Sequence, residues 1–198
     1  MTISALTPGF ADPPIQAQGV FRLVLDAMAR PGRIATLADN APSAPAPLDD
    51  ATFALALTLL DFETPVWLDA KLDLPDVIES LRFHCGCPIT KEAKEACFAL
   101  IGDAASLTTF AEFSKGTPEY PDRAATLIIQ TEGLAEDEGW TLRGPGIKDH
   151  ARLRILGLPE DFVQRWQTNR AGFPNGVDVI VTHDRRLACL PRTTSLEV

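Results

Sequence analysis

Two short apolar runs near the end of the chain, separated by a polar turn, constrain the fold more than any other feature. The first, residues 177–181, is rich in β-branched side chains and follows a Phe-Pro-Asn-Gly turn, and the second, residues 187–190, ends at Pro191. Such runs are typical of buried strands, and Pro ends the second because it cannot donate to a ladder of backbone hydrogen bonds. The sequence therefore predicts a hydrophobic hairpin that places residues 192–194 at one end of a sheet.

Apolar patterns along the rest of the chain predict helices that alternate with strands. Residues 33–37 alternate as an edge strand does, whereas residues 125–130 predict a strand at the centre of the sheet. Further strands are predicted at residues 66–68, 97–101, 140–142 and 153–155, helices at residues 15–30, 51–60, 74–83, 107–113 and 159–166, and an acidic connection at residues 131–138. After a flexible N-terminal arm of residues 1–14, residues 15–198 are predicted to form a single layered α/β domain with a mixed sheet.

The charge balance limits the classes of ligand. With 18 basic and 27 acidic residues, the chain has a formal net charge of −9, which argues against nucleic acid because binding to its phosphates depends on Lys and Arg. No apolar run approaches the ~20 residues of a membrane span, and the N-terminus lacks the basic start and apolar stretch of a signal peptide. The chain is therefore expected in the cytoplasm, without nucleic acid or a membrane as partner.

The four cysteines are expected to be reduced thiols in that compartment. Cys85 and Cys87 follow His84 directly, but zinc sites usually have wider spacing within a pair and a second pair elsewhere, so no metal is predicted. Inert thiols are the main interpretation, and a redox-active pair and a metal site are the alternatives. No lysine lies in a context that indicates a pyridoxal Schiff base, and no cofactor is predicted.

Cationic and hydroxyl side chains are the candidates for a site that binds an anion or a substrate. Arg82 and Arg192 each carry a guanidinium fork that matches phosphate or carboxylate oxygens, and Thr193 adds a hydroxyl. His84 can donate a hydrogen bond or accept a proton near neutral pH, and Arg143 flanks a Gly-Pro-Gly turn that lacks the frame of a nucleotide loop. The alternative is that the arginines only pair with acids or cap a helix and that His84 is structural. No catalytic residue is assigned, and Arg192, in the terminal segment, is not expected to hold the core.

Several short motifs together resemble those of the H subunit of bacterial carbon–phosphorus lyase, a multi-subunit system that degrades phosphonates. They are Phe21-Arg22, Ala27-Met28, Pro31-Gly32, residues 64–68 (TPVWL), 80–84 (SLRFH), 125–128 (ATLI) and 142–147 (LRGPGI), and the segment 173–194. Each is weak alone, but their order and spacing from Phe21 to the C-terminus make the match specific. The Cys-Gly-Cys of residues 85–87 departs from the family, which commonly has small or hydroxyl residues there.

The resemblance implies a non-autonomous subunit. In the family, the G, H, I and L subunits together convert ATP and an alkylphosphonate to a ribose 1-phosphonate 5-triphosphate, a transferase reaction, and the G, H, I and J subunits form a core assembly. The resemblance also implies a three-layer α/β/α domain similar to the large domain of pyridoxal-phosphate-dependent transferases, without that cofactor, and a homodimer. The apolar helix of residues 51–60 and Trp67 are the surface expected at the dimer interface.

Two other functions stay open at this point. One is an autonomous enzyme that acts on a small phosphorylated metabolite through Arg82, His84 and Arg192, and the other is a purely structural adaptor. Whether this subunit contacts ATP or the phosphonate at all is open as well, because the sequence contains no motif that is self-sufficient for catalysis.

Overall fold

The computed structural model describes residues 6–107 and 109–198, and the elements named here belong to that part of the chain. Its α-helices are α1 (Pro13–Ala29), α2 (Asp50–Leu59), α3 (Pro75–Cys85) and α4 (Phe162–Ala171). Its strands are β1 (Ala35–Thr36), β2 (Val66–Leu68), β3 (Ile89–Thr90), β4 (Phe98–Ile101), β5 (Thr126–Gln130), β6 (Gly133–Arg143), β7 (Ala151–Leu156), β8 (Asp178–His183), β9 (Arg186–Leu190) and β10 (Ser195–Glu197).

Seven strands form the main sheet, in the order β1–β9–β8–β5–β4–β2–β3. From β8 to β3 neighbouring strands run parallel, whereas β9 is antiparallel to both β8 and β1. The predicted mixed sheet is thus confirmed, with the hairpin at β8–β9, β5 in the centre and β1 at an edge. The carboxyl ends of the parallel strands define one margin of the sheet, called here the carboxyl edge, and their amino ends define the amino edge.

The two faces of the main sheet are covered by different kinds of layer. One face, which carries Leu100, Ile128 and Ile180, packs against α1, α2 and α3. The other face, which carries Leu127 and Val179, packs against α4 and a second, three-stranded antiparallel sheet in the order β10–β6–β7. The α/β class is confirmed, but the expected α/β/α layering needs correction, because the third layer combines one helix with a small sheet.

The helix α2 is buried inside the domain. Residues 51–56 are all shielded from solvent, since the helix packs between α1, α3 and the strands β5 and β8. This position explains the apolar composition all round the helix, and it removes α2 as the surface expected at a dimer interface. No helix in the described part of the chain is long and apolar enough to cross a membrane.

The acidic segment 131–138, predicted as a connection, instead forms most of the first half of the long strand β6 (Gly133–Arg143). A β-bulge interrupts its pairing with β7 between Glu136 and Trp140, and the side chains of residues 136–138 are exposed. A bulge breaks the period of two, and exposed positions accept acidic residues, so neither periodicity nor composition indicates a strand here. The prediction of a connection was therefore wrong for residues 133–138, while residues 131–132 do connect β5 to β6.

The predicted helix 107–113 is reduced to a short 3₁₀ turn at Phe110–Glu112, with residue 108 outside the described residues. Its aromatic residues are nevertheless part of the core. The ring of Phe113 packs edge-to-face on Trp67, with the ring centroids 5.5 Å apart. Trp67 is thus half-buried within the chain rather than free for a dimer interface.

Candidate functional site

Arg192 lies at the amino edge of the main sheet, where its side chain ties three segments together. Its Nε is 3.1 and 3.2 Å from the two carboxylate oxygens of Asp178, the first residue of β8. Its Nη1 donates to the carbonyl oxygens of Pro121 and Pro174 at 2.9 and 3.3 Å. Only 13% of the Arg192 side chain is exposed. Its donors are thus occupied within the chain, and an anion would have to displace the Asp178 carboxylate.

The helix α3 directs Arg82 and His84 differently. The Arg82 side chain is exposed and forms no hydrogen bond or ion pair with the residues that the structure describes. The half-buried ring of His84 has Nε2 at 2.9 Å from the Thr7 carbonyl oxygen and packs edge-to-face on Phe53. His84 therefore holds the N-terminal segment against the domain, while Arg82 remains a free cation.

This contact bears on the predicted N-terminal arm. The helix α1 already begins at Pro13, and Gly9 lies so close to the His84 ring that a Cβ there would be 3.0 Å from Nδ1. The flexibility of residues 1–14 stays a prediction, but the described part of this segment has a defined partner in α3.

Arg143 and Thr193 are neighbours at the small sheet. Arg143 ends β6 and pairs with Ser195 of β10, and a Cβ on the next residue, Gly144, would be 3.1 Å from the Thr193 carbonyl oxygen. The Nη1 of Arg143 donates to the Asp149 carbonyl oxygen at 2.9 Å. Arg143 and Thr193 share no partner with Arg82, which lies in the helical layer. The five candidate residues thus do not form one pocket within a chain, and a pocket formed across a dimer stays a prediction.

A cavity of about 220 Å³ opens instead at the carboxyl edge, where α/β proteins commonly bind ligands. It lies between the segments that follow β2, β4 and β5 and the loop that precedes α2, and we call it the carboxyl-edge cavity. The polar side chains that line it are those of Asp49, Lys71, Asp103, Gln130, Thr131 and Glu132. Parallel strands end side by side at this edge, so polar residues that are distant in sequence come together.

Asp49, which directly precedes α2, has a perturbed carboxyl group. Its Oδ2 is shielded from water and has no hydrogen-bond partner among the described residues. Burial raises the pKa of Asp49 above its ordinary value of 3.8 and nearby Asp184 raises it further, while the Asp184 backbone, His183 and Lys71 oppose the increase. A carboxyl group with a raised pKa in a cleft is typical of functional sites, because it can hold or accept a proton nearer neutral pH.

Two buried polar side chains fix the walls of the carboxyl-edge cavity. The Asp69 carboxylate accepts hydrogen bonds from the backbone N–H groups of Gly102 and Asp103, at 3.0 and 2.9 Å, and so joins the loops after β2 and β4. The side-chain oxygen of Gln130 accepts the Asp49 N–H at 2.7 Å, which joins β5 to the loop before α2. Because these bonds are buried or part-buried, they favour one shape of the cavity before any ligand arrives.

A second cavity, of about 270 Å³, lies between α1 and the loop after β1. Its lining is mostly apolar and includes Phe10, Ile15, Val20, Leu23 and Leu37. The described residues contribute no ionisable side chain to it, so it offers a surface for packing rather than for chemistry.

The cysteine pair at the end of α3 is a pair of free thiols. Hydrogen bonding with Cys87 and burial raise the pKa of Cys85, and the same hydrogen bond lowers the pKa of Cys87. Among the residues that the structure describes, no three His, Cys, Asp or Glu side chains converge as metal ligands would. The role of the pair stays open, with a redox-active pair as the alternative to inert thiols.

Sequence reasoning missed the carboxyl-edge cavity because its residues lie in ordinary polar connections. A usable signal was present, since Lys71, Asp103 and Thr131 each follow an apolar strand within three residues of its end. Once a parallel sheet is predicted, such residues are expected to meet at one edge.

Comparison with known proteins places the sequence of the chain in a family. The family model of the bacterial phosphonate metabolism protein PhnH matches residues 8–197. The chain is 44% identical over 188 residues to the alpha-D-ribose 1-methylphosphonate 5-triphosphate synthase subunit PhnH of Rhizobium meliloti (strain 1021), covering 95% of this chain and 94% of that protein. It is 30% identical over 184 residues to a Stutzerimonas stutzeri protein named "Putative C-P lyase subunit protein HtxG", covering 91% of this chain and 86% of the relative.

Proposed function

The chain belongs to the PhnH family of bacterial phosphonate metabolism proteins, and we propose that it is a non-autonomous subunit of a carbon–phosphorus lyase system. In this role it contributes to the formation of α-D-ribose 1-alkylphosphonate 5-triphosphate from ATP and a phosphonate. The observation that carries the proposal is the match of nearly the whole chain to a relative named as a subunit of the corresponding synthase.

The arrangement of the side chains supports a subunit rather than an autonomous enzyme. Arg192 is bound to Asp178 and His84 to the N-terminal segment, so these two residues are occupied in structural contacts. The carboxyl-edge cavity supplies carboxylates and one lysine, but within the described residues it offers no cluster of cations for a triphosphate. A partner must therefore provide the groups that bind and neutralise the phosphate chain.

The partners in this proposal are the subunits designated G, I and J of the lyase system and a second copy of the chain. Since α2 is buried, one apolar surface that a homodimer or another subunit could cover is the outer face of α1, where Phe21 and Leu25 are 46% and 52% exposed. Arg82 remains available for a partner's carboxylate or a substrate anion. The proposal further includes a cytoplasmic location and a likeness to the large domain of pyridoxal-phosphate-dependent transferases without that cofactor.

Growth and co-purification test this function together. In a phosphonate-using bacterium that lacks its own copy of this subunit, the tagged chain is expected to restore growth on methylphosphonate as the sole phosphorus source. The tagged chain should also retain the other lyase subunits during purification. Purification of the chain alone from cells that grow on methylphosphonate would favour the autonomous enzyme. A variant with substitutions in the carboxyl-edge cavity and at Arg82 tests the adaptor. If this variant still retains the other subunits and supports normal growth, the adaptor is favoured.

A further inference from the structure

We propose that the carboxyl-edge cavity binds the ribose ring of a ribosyl phosphate, with the phosphate groups directed out of the cavity. The choice of ribose rests on the proposed function, whereas the preference for a small hydroxyl-rich group over a phosphate or a base rests on the cavity itself. The size of the cavity, its charge and its rigid walls each support this assignment.

The cavity is too small for a whole nucleotide. Its volume of about 220 Å³ lies below the ~300–1,000 Å³ of pockets that enclose drug-sized ligands. Among the residues that the structure describes, no aromatic side chain lines it, so a purine would have no ring on which to stack. A five-membered sugar ring matches both properties, since it is small and binds through hydrogen bonds of its hydroxyl groups.

The charges in the cavity favour hydrogen-bond donors over anions. Asp49, Asp103 and Glu132 provide three carboxylates, and Lys71 is the one cationic side chain that the described residues contribute to the lining. Carboxylates accept hydrogen bonds from sugar hydroxyls but repel phosphate oxygens. A ribosyl phosphate would therefore place its ring inside and its phosphate groups toward solvent or a partner subunit.

Hydrogen-bonding capacity is left unused at two points of the cavity. Asp49 Oδ2 is buried without a partner in the described part of the chain, which is costly, and a rotation of the carboxyl group toward the cavity would let a ligand hydroxyl donate to it. Lys71 Nζ donates to the Gly102 carbonyl oxygen at 2.7 Å, which orients the ammonium group and leaves two N–H donors for hydroxyl oxygens. A vicinal diol can donate to the carboxylate and accept from the ammonium group at the same time.

The rim of the cavity is shaped for close approach. A Cβ on Gly157 would lie 2.8 Å from Cγ of Glu132, so the Glu132 stem rests against the backbone of Gly157. The backbone torsion φ of Gly157 is +85°, a region that favours glycine. Because Gly157 has no side chain, the Glu132 side chain can lie against it and present its carboxylate at the entrance of the cavity.

Ligand-observed and protein-observed NMR on the purified full-length chain test the proposal. Saturation transfer to D-ribose 5-phosphate should be detected on the ring protons, and amide shifts in a ¹⁵N-labelled sample should cluster at Gly102, Asp103 and Thr131. Adenine and inorganic phosphate serve as comparison probes and should not produce this pattern. Equal shifts of the same amides with inorganic phosphate would overturn the assignment, as would no binding of D-ribose 5-phosphate.

Substitutions then connect the binding to the named side chains. Asp49→Asn and Lys71→Met should each weaken D-ribose 5-phosphate binding by about tenfold or more, the effect of losing one charge-assisted hydrogen bond. The matched controls Glu95→Gln and Lys94→Met, on the 3₁₀ turn before β4 at the amino edge, should bind as the unaltered chain does. Melting temperatures show whether each variant is folded, and unchanged binding in both folded cavity variants would refute the proposal. Because this assay needs no partner subunit, its outcome is independent of growth on methylphosphonate.

Discussion

Replacement of Arg192 tests whether this residue is structural. Three nitrogens of its guanidinium group hold the Asp178 carboxylate and the carbonyl oxygens of Pro121 and Pro174, and the two charged side chains are only 13% and 23% exposed. Removing one partner of a buried ion pair costs about 3–5 kcal/mol, because the other charge stays buried without compensation. This pair retains some exposure, and the backbone N–H of residue 192 still donates to Asp178 at 2.7 Å in the variant. We therefore expect Arg192→Ala to lower the free energy of unfolding by about 3 kcal/mol, the lower end of that range.

Chemical denaturation in urea and thermal unfolding measure this cost. For a chain of this size, about 3 kcal/mol corresponds to a decrease of ~6–12 °C in melting temperature. A double-mutant cycle with Asp178→Ala should show a coupling energy of about 2 kcal/mol between the two side chains. The control is Arg30→Ala, because Arg30 pairs with Asp26 where both side chains are more than half exposed, and its cost should stay below about 1 kcal/mol.

The opposite result would assign Arg192 to function. In that case the free energy of unfolding of Arg192→Ala would be nearly that of the unaltered chain, while the reconstituted complex would lose turnover. The guanidinium group would then bind an anion, and its contacts with Asp178 would be incidental. Loss of stability together with retained turnover per folded molecule would confirm the structural role.

Three further outcomes follow from the contacts of single residues. Because the pKa of Asp49 is raised in the folded chain, ionisation of this carboxyl group lowers the free energy of unfolding as pH rises. Asp49→Asn should therefore stabilise the chain near neutral pH and lose this advantage below about pH 3.8, where the carboxyl group is protonated in both states. Urea unfolding at a series of pH values measures the difference. Gly146→Ala should lower the melting temperature strongly, because its Cβ would lie 1.9 Å from the Ala29 carbonyl oxygen at a φ of +81°. In native protein, iodoacetamide should label exposed Cys97 well before buried Cys189, which should react only on unfolding, as followed by mass spectrometry.

Much of the fold was predictable because burial imposes a clear pattern on the central elements. The middle of β5, Leu127–Ile129, is apolar because both faces of the strand are covered, and Phe162 and Trp166 are both fully buried on one face of α4. The prediction of a strand at residues 140–142 found the second half of β6, but the first half was not predictable, because its exposed, bulged stretch carries acidic side chains that cost nothing in water. Sequence patterns record burial, so an exposed strand leaves little signal.

The candidate site was less predictable than the fold for a related reason. Arg192 and His84 are residue types that serve equally in binding and in structural hydrogen bonds, and only their partners, Asp178 and Thr7, distinguish these roles. The residues of the carboxyl-edge cavity become a group only when the strand order is known. Asp49→Asn tests the fold and the site together, because the same substitution should increase stability and decrease ligand binding. Such a trade-off is common at functional sites.

The pairing of β1 with β9 determines when the newly made chain can complete its fold. The N-terminal strand, Ala35–Thr36, joins the main sheet only through Arg186–Leu190, and the small sheet is closed by Ser195–Glu197. While the ribosome is still synthesising the middle of the chain, α1 therefore has no finished sheet on which to rest. The apolar residues of α1 that pack against β9 therefore lack this partner until the last residues emerge, although α1 can already pack against α2, and such transiently exposed apolar surface is prone to aggregation.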